Sequence, residues 1–195
     1  MDLFAGIDYG SKTAGTTVIA WPAASSIRFL QSTRKKDADQ FLESWVQEHK
    51  PRLLFLDAPL SLPGTYTQPE QYSNFFYRVA DQEVQAMSPM FLGGLTARAM
   101  QLKRALESRE CSVKEVYPGR LARQLSLDPK RYKKDNSYLD TAARVALAQM
   151  PDYQLAQAPA NWHQLDALLA LCSGYRYQQQ TADIYGHPAE GQIIV

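Results

Sequence analysis

The chain has 195 residues, 45% of them apolar, about the length of one domain and enough to bury a real core. Lysine plus arginine (21) nearly balance aspartate plus glutamate (20), which excludes the overall basic field that drives nucleic-acid binding; a nucleic-acid partner would need a local patch. Cys111 and Cys172 fall in different predicted elements without metal-ligand spacing and read as reduced packing residues of a cytoplasmic protein.

The elements follow in order. Leu3-Phe4-Ala5-Gly6-Ile7 is a short apolar run that ends in Asp8 and turns through Gly10 into Lys12-Thr13-Ala14-Gly15. This strand starts by residue 3 and leaves no room for a signal peptide. A second strand is expected at roughly 15–21, broken by Pro22, and a third at roughly 27–32, giving an antiparallel meander. Ala38, Phe41, Leu42, Trp45, Val46 and His49 repeat at the spacing of one helical face, after Asp37 with Gln40 three residues on, and Pro51 stops the helix. Leu53-Leu54-Phe55-Leu56 is continuously apolar, so it reads as a central strand covered on both faces, and it ends in Asp57.

Residues 58–75 look irregular, and helices are expected at about 76–87 and 95–108, separated by Gly93-Gly94. Val113 to Tyr117 is the fifth strand, followed by a short helix at 119–126. A further helix begins near Ser137 and ends at Pro151, the last long helix covers about 162–178, and 191–195 could form a short terminal strand. The longest apolar run, Ala167 to Cys172, is far short of the ~18 residues of a membrane span. The pattern predicts an α/β fold with a mixed sheet of about five strands, flanking helices and a helical insert after strand four. No composition break divides residues 1–195, which read as a single domain with the inserted loop and helices at about 58–111.

Three aspartates sit where structure alone would not choose them: Asp8 and Asp57 at strand ends, and Asp166 inside the last helix. Asp166, Ala170 and Gly174 lie at i, i+4 and i+8, a small stripe that lets a helix approach a sheet closely. Carboxylates from separate elements tolerate one another when cations neutralise them or their pKa values split. Mg²⁺ and Mn²⁺ take oxygen ligands, and a pair of such ions can activate water on a phosphodiester. Glu115, Asp81, Arg78 and Lys12 are possible additional site residues. Against them stand ordinary uses: a salt-bridged strand position, an i, i+3 helix pair, and a solvated turn lysine. His163, one helical turn before Asp166, reads as a surface histidine at a helix N-terminus, against the alternative of a proton shuttle. Lys130-Arg131-Tyr132-Lys133-Lys134 reads as a solvated face, against phosphate holding, and the rings Tyr66, Tyr72, Phe75, Phe76 and Tyr77 as loop packing, against base stacking.

Gly6-Ile7-Asp8-Tyr9-Gly10, with Lys12 and Gly15, resembles the opening motif of RNase H-like nucleases, particularly Holliday-junction-resolvase relatives. The whole chain more closely resembles an uncharacterised family of predicted RNase H-like nucleases. The further pieces are Leu56-Asp57-Ala58-Pro59-Leu60, Arg78-Val79-Ala80-Asp81, Glu115-Val116-Tyr117-Pro118 and Leu165-Asp166-Ala167-Leu168. The resemblance implies an RNase H-like fold and a metal-dependent nuclease, with Asp8, Asp57 and Asp166 as the catalytic, Mg- or Mn-binding set and a two-metal site possible. Glu115 or Asp81 would be the fourth acidic residue. Two other readings are a non-catalytic RNase H-like scaffold and an actin-like nucleotide binder. The second is disfavoured because such proteins need two such domains.

Overall fold

The computed structural model describes residues 3–195. Strand β1 (Phe4–Asp8) is buried through Ile7 and pairs antiparallel with β2 (Val18–Ala23), which pairs antiparallel with β3 (Ser26–Gln31). Pro22 does not break β2. It pairs with Ile27 beyond the last β1 partner, Ala20, an edge-like stretch where a missing N–H is tolerated, and the chain turns at Ala24 (φ 55°). Helix α1 (Ala38–His49) is capped by Asp37, whose side chain accepts from the Asp39 and Gln40 N–H groups, and buries Ala38, Leu42, Trp45 and Val46. Strand β4 (Leu53–Asp57) then lies parallel to β1, on the side away from β2.

The insert holds α2 (Val79–Val84), α3 (Pro89–Leu92) and α4 (Gly94–Glu107). The helix expected at 76–87 starts late. The Asn74 side chain takes the Phe76 and Tyr77 N–H groups into a turn, and Arg78 is extended (φ −75°, ψ 160°). It also ends early, at Gln85 in the left-handed region (φ 57°). Ser88, accepting from the Met90 N–H, and Pro89 open the unexpected α3.

Strand β5 (Ser112–Val116) is parallel to β4, and α5 (Pro118–Gln124) and α6 (Leu139–Leu147) follow. Two-residue β6 (Gln154–Leu155) extends β3, helix α7 (Trp162–Gln178) crosses the sheet, and β7 (Ile184–His187) and β8 (Gly191–Ile194) form a hairpin. Among the described residues the sheet therefore has eight strands where about five were expected, in the order β6-β3-β2-β1-β4-β5-β8-β7. The extra strands are edge pieces. β6 is too short for a pattern, and β7 contains Gly186 and exposed Ile184.

One core fills the face under α1 and α4, with Ala5, Ile7, Leu54 and Leu56; the other fills the face under α7, with Phe4, Val18 and Phe55. α7 is buried all round from Gln164 to Tyr175, because α5 and α6 pack on it as well. Its approach to β1 is close: a Cβ on Gly6 would lie 2.0 Å from the Leu171 backbone nitrogen. Among the described residues no helix is long and apolar enough to cross a membrane.

Candidate active site

Side chains alternate along a strand, so residues two apart share a face. Asp8 shares its face with Gly6, which meets α7. Asp57 shares its face with Phe55, whose ring lies where a Cβ on Gly174 of α7 would meet it at 2.3 Å. Asp8 and Asp57 are direct register partners, on strands ~4.8 Å apart. The expected stripe Ala170 and Gly174 does face the sheet, and the same helix carries Asp166, 3% exposed, over this strand end.

The three carboxylates act on one another. Burial first, then the charges of Asp8 and Asp166, push Asp57 well above the ordinary carboxylate range. Burial also raises Asp166, against the pull of Lys133. Two basic side chains face these carboxylates. His163 Nδ1 lies 2.7 Å from Asp8 Oδ2, and this hydrogen bond raises the imidazole above its usual value. Lys133 Nζ lies 2.5 Å from Asp166 Oδ2, while the Tyr132 hydroxyl donates to Asp166 Oδ1 at 2.5 Å. Burial would depress the Lys133 ammonium, but Asp166, Asp57 and Asp8 hold it above its usual value.

The donor set is oxygen-rich, and its anionic forms are mutually unfavourable without a cation, which suits a hard divalent ion in kind. Among the described residues, however, no three His, Cys, Asp or Glu side chains are already disposed around an ion position.

Of the four additional candidates, Asp81 and Glu115 line a cleft together with Asp8 and Asp57, and Arg78 and Lys12 are held in ion pairs. Glu115 is in register with Leu56, so it projects from the opposite face to Asp57. There Arg78, fully buried, grips it through both terminal nitrogens at 2.6 and 2.7 Å. Arg78 also binds Asp81 at 2.6 Å and Ser61 at 2.8 Å, and the Leu60 N–H donates to Glu115. This buried triad pins the insert to β5. It reaches the acidic centre only through a cleft of about 250 Å³ lined by Asp8, Asp57, Asp81 and Glu115 together with Met87, Leu92 and Leu95. Lys12 pairs with Asp37, 3.1 Å away, at the start of α1.

Sequence reasoning placed His163, Tyr132 and Lys133 on the surface. His163 carried a usable signal, since it precedes Asp166 by three residues and so shares its helical face. Nothing local marks Tyr132 and Lys133, whose contact with Asp166 spans more than thirty residues.

No protein-family model matches the chain, and no curated protein matches it. Among solved structures it is similar to T. thermophilus RuvC in complex with Holliday junction substrate, at 16% identity, over 94% of this chain and 98% of that one, with a TM-score of 0.47. It is also similar to the yeast mitochondrial Holliday junction resolvase Ydc2, at 11% identity, over 91% of this chain and 79% of that one, with a TM-score of 0.49. By its own strand order 3-2-1-4-5, the antiparallel direction of β2 alone within it and the long helix laid across β1, the chain has an RNase H-like fold.

Proposed function

We propose that the protein is a divalent-metal-dependent nuclease that hydrolyses a phosphodiester of nucleic acid at the Asp8–Asp57–Asp166 end of the sheet. The observation that carries this is the register pairing of Asp8 with Asp57 beneath a helix that delivers a third, buried aspartate. A fold gains nothing in stability from three carboxylates brought together, and such groups cluster at sites where charge serves a function. Asp8, Asp57 and Asp166 would hold Mg²⁺ or Mn²⁺, which when bound supplies Lewis-acid polarisation of a phosphate and a water made acidic enough to attack.

The chain's own groups do the rest. Asp8 and Asp57 are set by the strand ladder and Asp166 by α7, so rigid elements position all three. His163, partly exposed and raised in pKa by its hydrogen bond to Asp8, would be the group that hands a proton to a leaving oxygen. Tyr132 holds Asp166 through its hydroxyl and packs edge-on against Trp162, at 5.5 Å and 84°. Lys130 and Lys134 flank this point on the same loop, exposed positive charge for a phosphate backbone that the balanced overall charge does not supply, while Arg131 is paired with Asp135. Beside the cleft, Phe75, Phe76 and Phe91 expose more than half of their surface and offer faces on which bases stack.

The test is a cleavage assay on labelled single strands, duplexes, RNA–DNA hybrids and four-way junctions, with Mn²⁺ or Mg²⁺ and with chelator. Cleavage of at least one substrate is expected only with the ion, and Asp57→Asn should abolish it. Ion binding without cleavage of any substrate would support a non-catalytic scaffold instead.

A further inference from the structure

Resting on this metal-site reading, we propose that Lys133 is a displaceable counter-cation. Its ammonium occupies the cation position on Asp166 in the metal-free protein, and the incoming divalent ion takes that position and releases it.

Asp166 is almost fully buried, and a buried carboxylate requires a partner. Both its oxygens are engaged. Tyr132 takes Oδ1 as a neutral donor, and Lys133 takes Oδ2 as a full positive charge at contact distance. An ion binding Asp166 at Oδ2 would contend with the Lys133 ammonium already in contact there.

The two buried carboxylate systems differ in how firmly their cations are held. Arg78 has no exposed surface and is locked by Asp81, Glu115 and Ser61. Lys133 keeps half of its side chain open to solvent, pairs with Asp166, and sits on a flexible four-carbon stem. Apart from Asp166 its ammonium lies over the Tyr132 ring, 5.4 Å from the centroid, a far weaker hold than that on Arg78. The Lys133 backbone is left-handed (φ 62°), at the end of the turn that begins at Asp128. Tyr132, seated against Trp162, anchors the neighbouring residue, so a released Lys133 stays at the rim of the site where a substrate phosphate would arrive.

Mn²⁺ titration calorimetry on wild type, Lys133→Met and Lys133→Arg at fixed pH and ionic strength tests this. A competitor that occupies the site nine-tenths of the time weakens apparent affinity about tenfold. Lys133→Met should therefore bind Mn²⁺ about tenfold more tightly than wild type, while Lys133→Arg, which keeps the charge, stays within a few-fold. Without metal, Lys133→Met should melt below wild type, and saturating Mn²⁺ should close that gap. A merely structural lysine would not improve affinity when removed. Equal or weaker Mn²⁺ binding by folded Lys133→Met overturns the counter-cation role and leaves the metal site standing. No Mn²⁺ binding by any folded form overturns the metal site, and this inference with it.

Discussion

Asp8 and Asp57 are each the last residue of their strand and face one another across the parallel β1–β4 ladder. Ionising both costs the folded state, and the cost falls on Asp57, whose pKa is raised by burial and then by Asp8 and Asp166. A carboxylate raised in the folded state loses stability as pH climbs past its unfolded value of about 3.9. Metal-free Asp57→Asn should thus melt higher than wild type at neutral pH, by on the order of 1 kcal/mol, and the two curves should converge near pH 4. Saturating Mn²⁺ should reverse the order, because only wild type gains from ion binding. Thermal melts against pH, with and without Mn²⁺, check both halves.

His163 predicts a second slope. Its folded pKa is raised, first by the hydrogen bond to Asp8, so its contribution is fully present below about pH 6.5 and fades as pH rises through the higher folded value. In metal-free protein, wild type should lose more stability across that window than His163→Gln, which keeps only the Asp57 slope. NMR titration of the imidazole should give a value above 6.5, and a value at or below 6.5 would contradict the Asp8 contact.

The seating of α7 is tested at its glycines. Even an alanine Cβ at Gly174 would lie 2.3 Å from the Phe55 ring, so Gly174→Ala should cost about 1–3 kcal/mol and Gly174→Leu more. A helix displaced by ~1 Å also misplaces Asp166, and such shifts can cost about 100-fold in rate. A methyl group added at Gly94 would meet nothing within 4 Å, so Gly94→Ala is the control and should be neutral or stabilising by up to about 1 kcal/mol. Denaturant unfolding gives the stabilities.

Arg78→Met should destabilise by about 3–5 kcal/mol, since it strands Glu115 and Asp81 as buried charges. The folded fraction should still bind Mn²⁺, because the triad lies on the opposite face of the sheet from Asp57. Loss of Mn²⁺ binding in folded Arg78→Met would place Glu115 in the metal site after all.

Strands β1 and β4 were legible because their apolar runs end abruptly in aspartate, and α7 because small residues repeat every four positions. The meander, α1 and the central, doubly covered β4 followed from short turns, a helical period and a continuous apolar run. What local pattern could not show was decided at long range. β7 gains its place only by pairing with β8, and Glu115 is turned from Asp57 by a one-residue register relation. Lys133 looked like one lysine among several in a basic run, and only the fold sets it on Asp166 rather than in water.

The most direct measurement is anomalous diffraction from crystals soaked in Mn²⁺. A peak about 2.0–2.2 Å from carboxylate oxygens of Asp8, Asp57 and Asp166, with Lys133 withdrawn from Asp166, is the predicted result. Crystals that show no peak among these three aspartates at millimolar Mn²⁺, with Lys133 still on Asp166, would contradict the proposed metal centre.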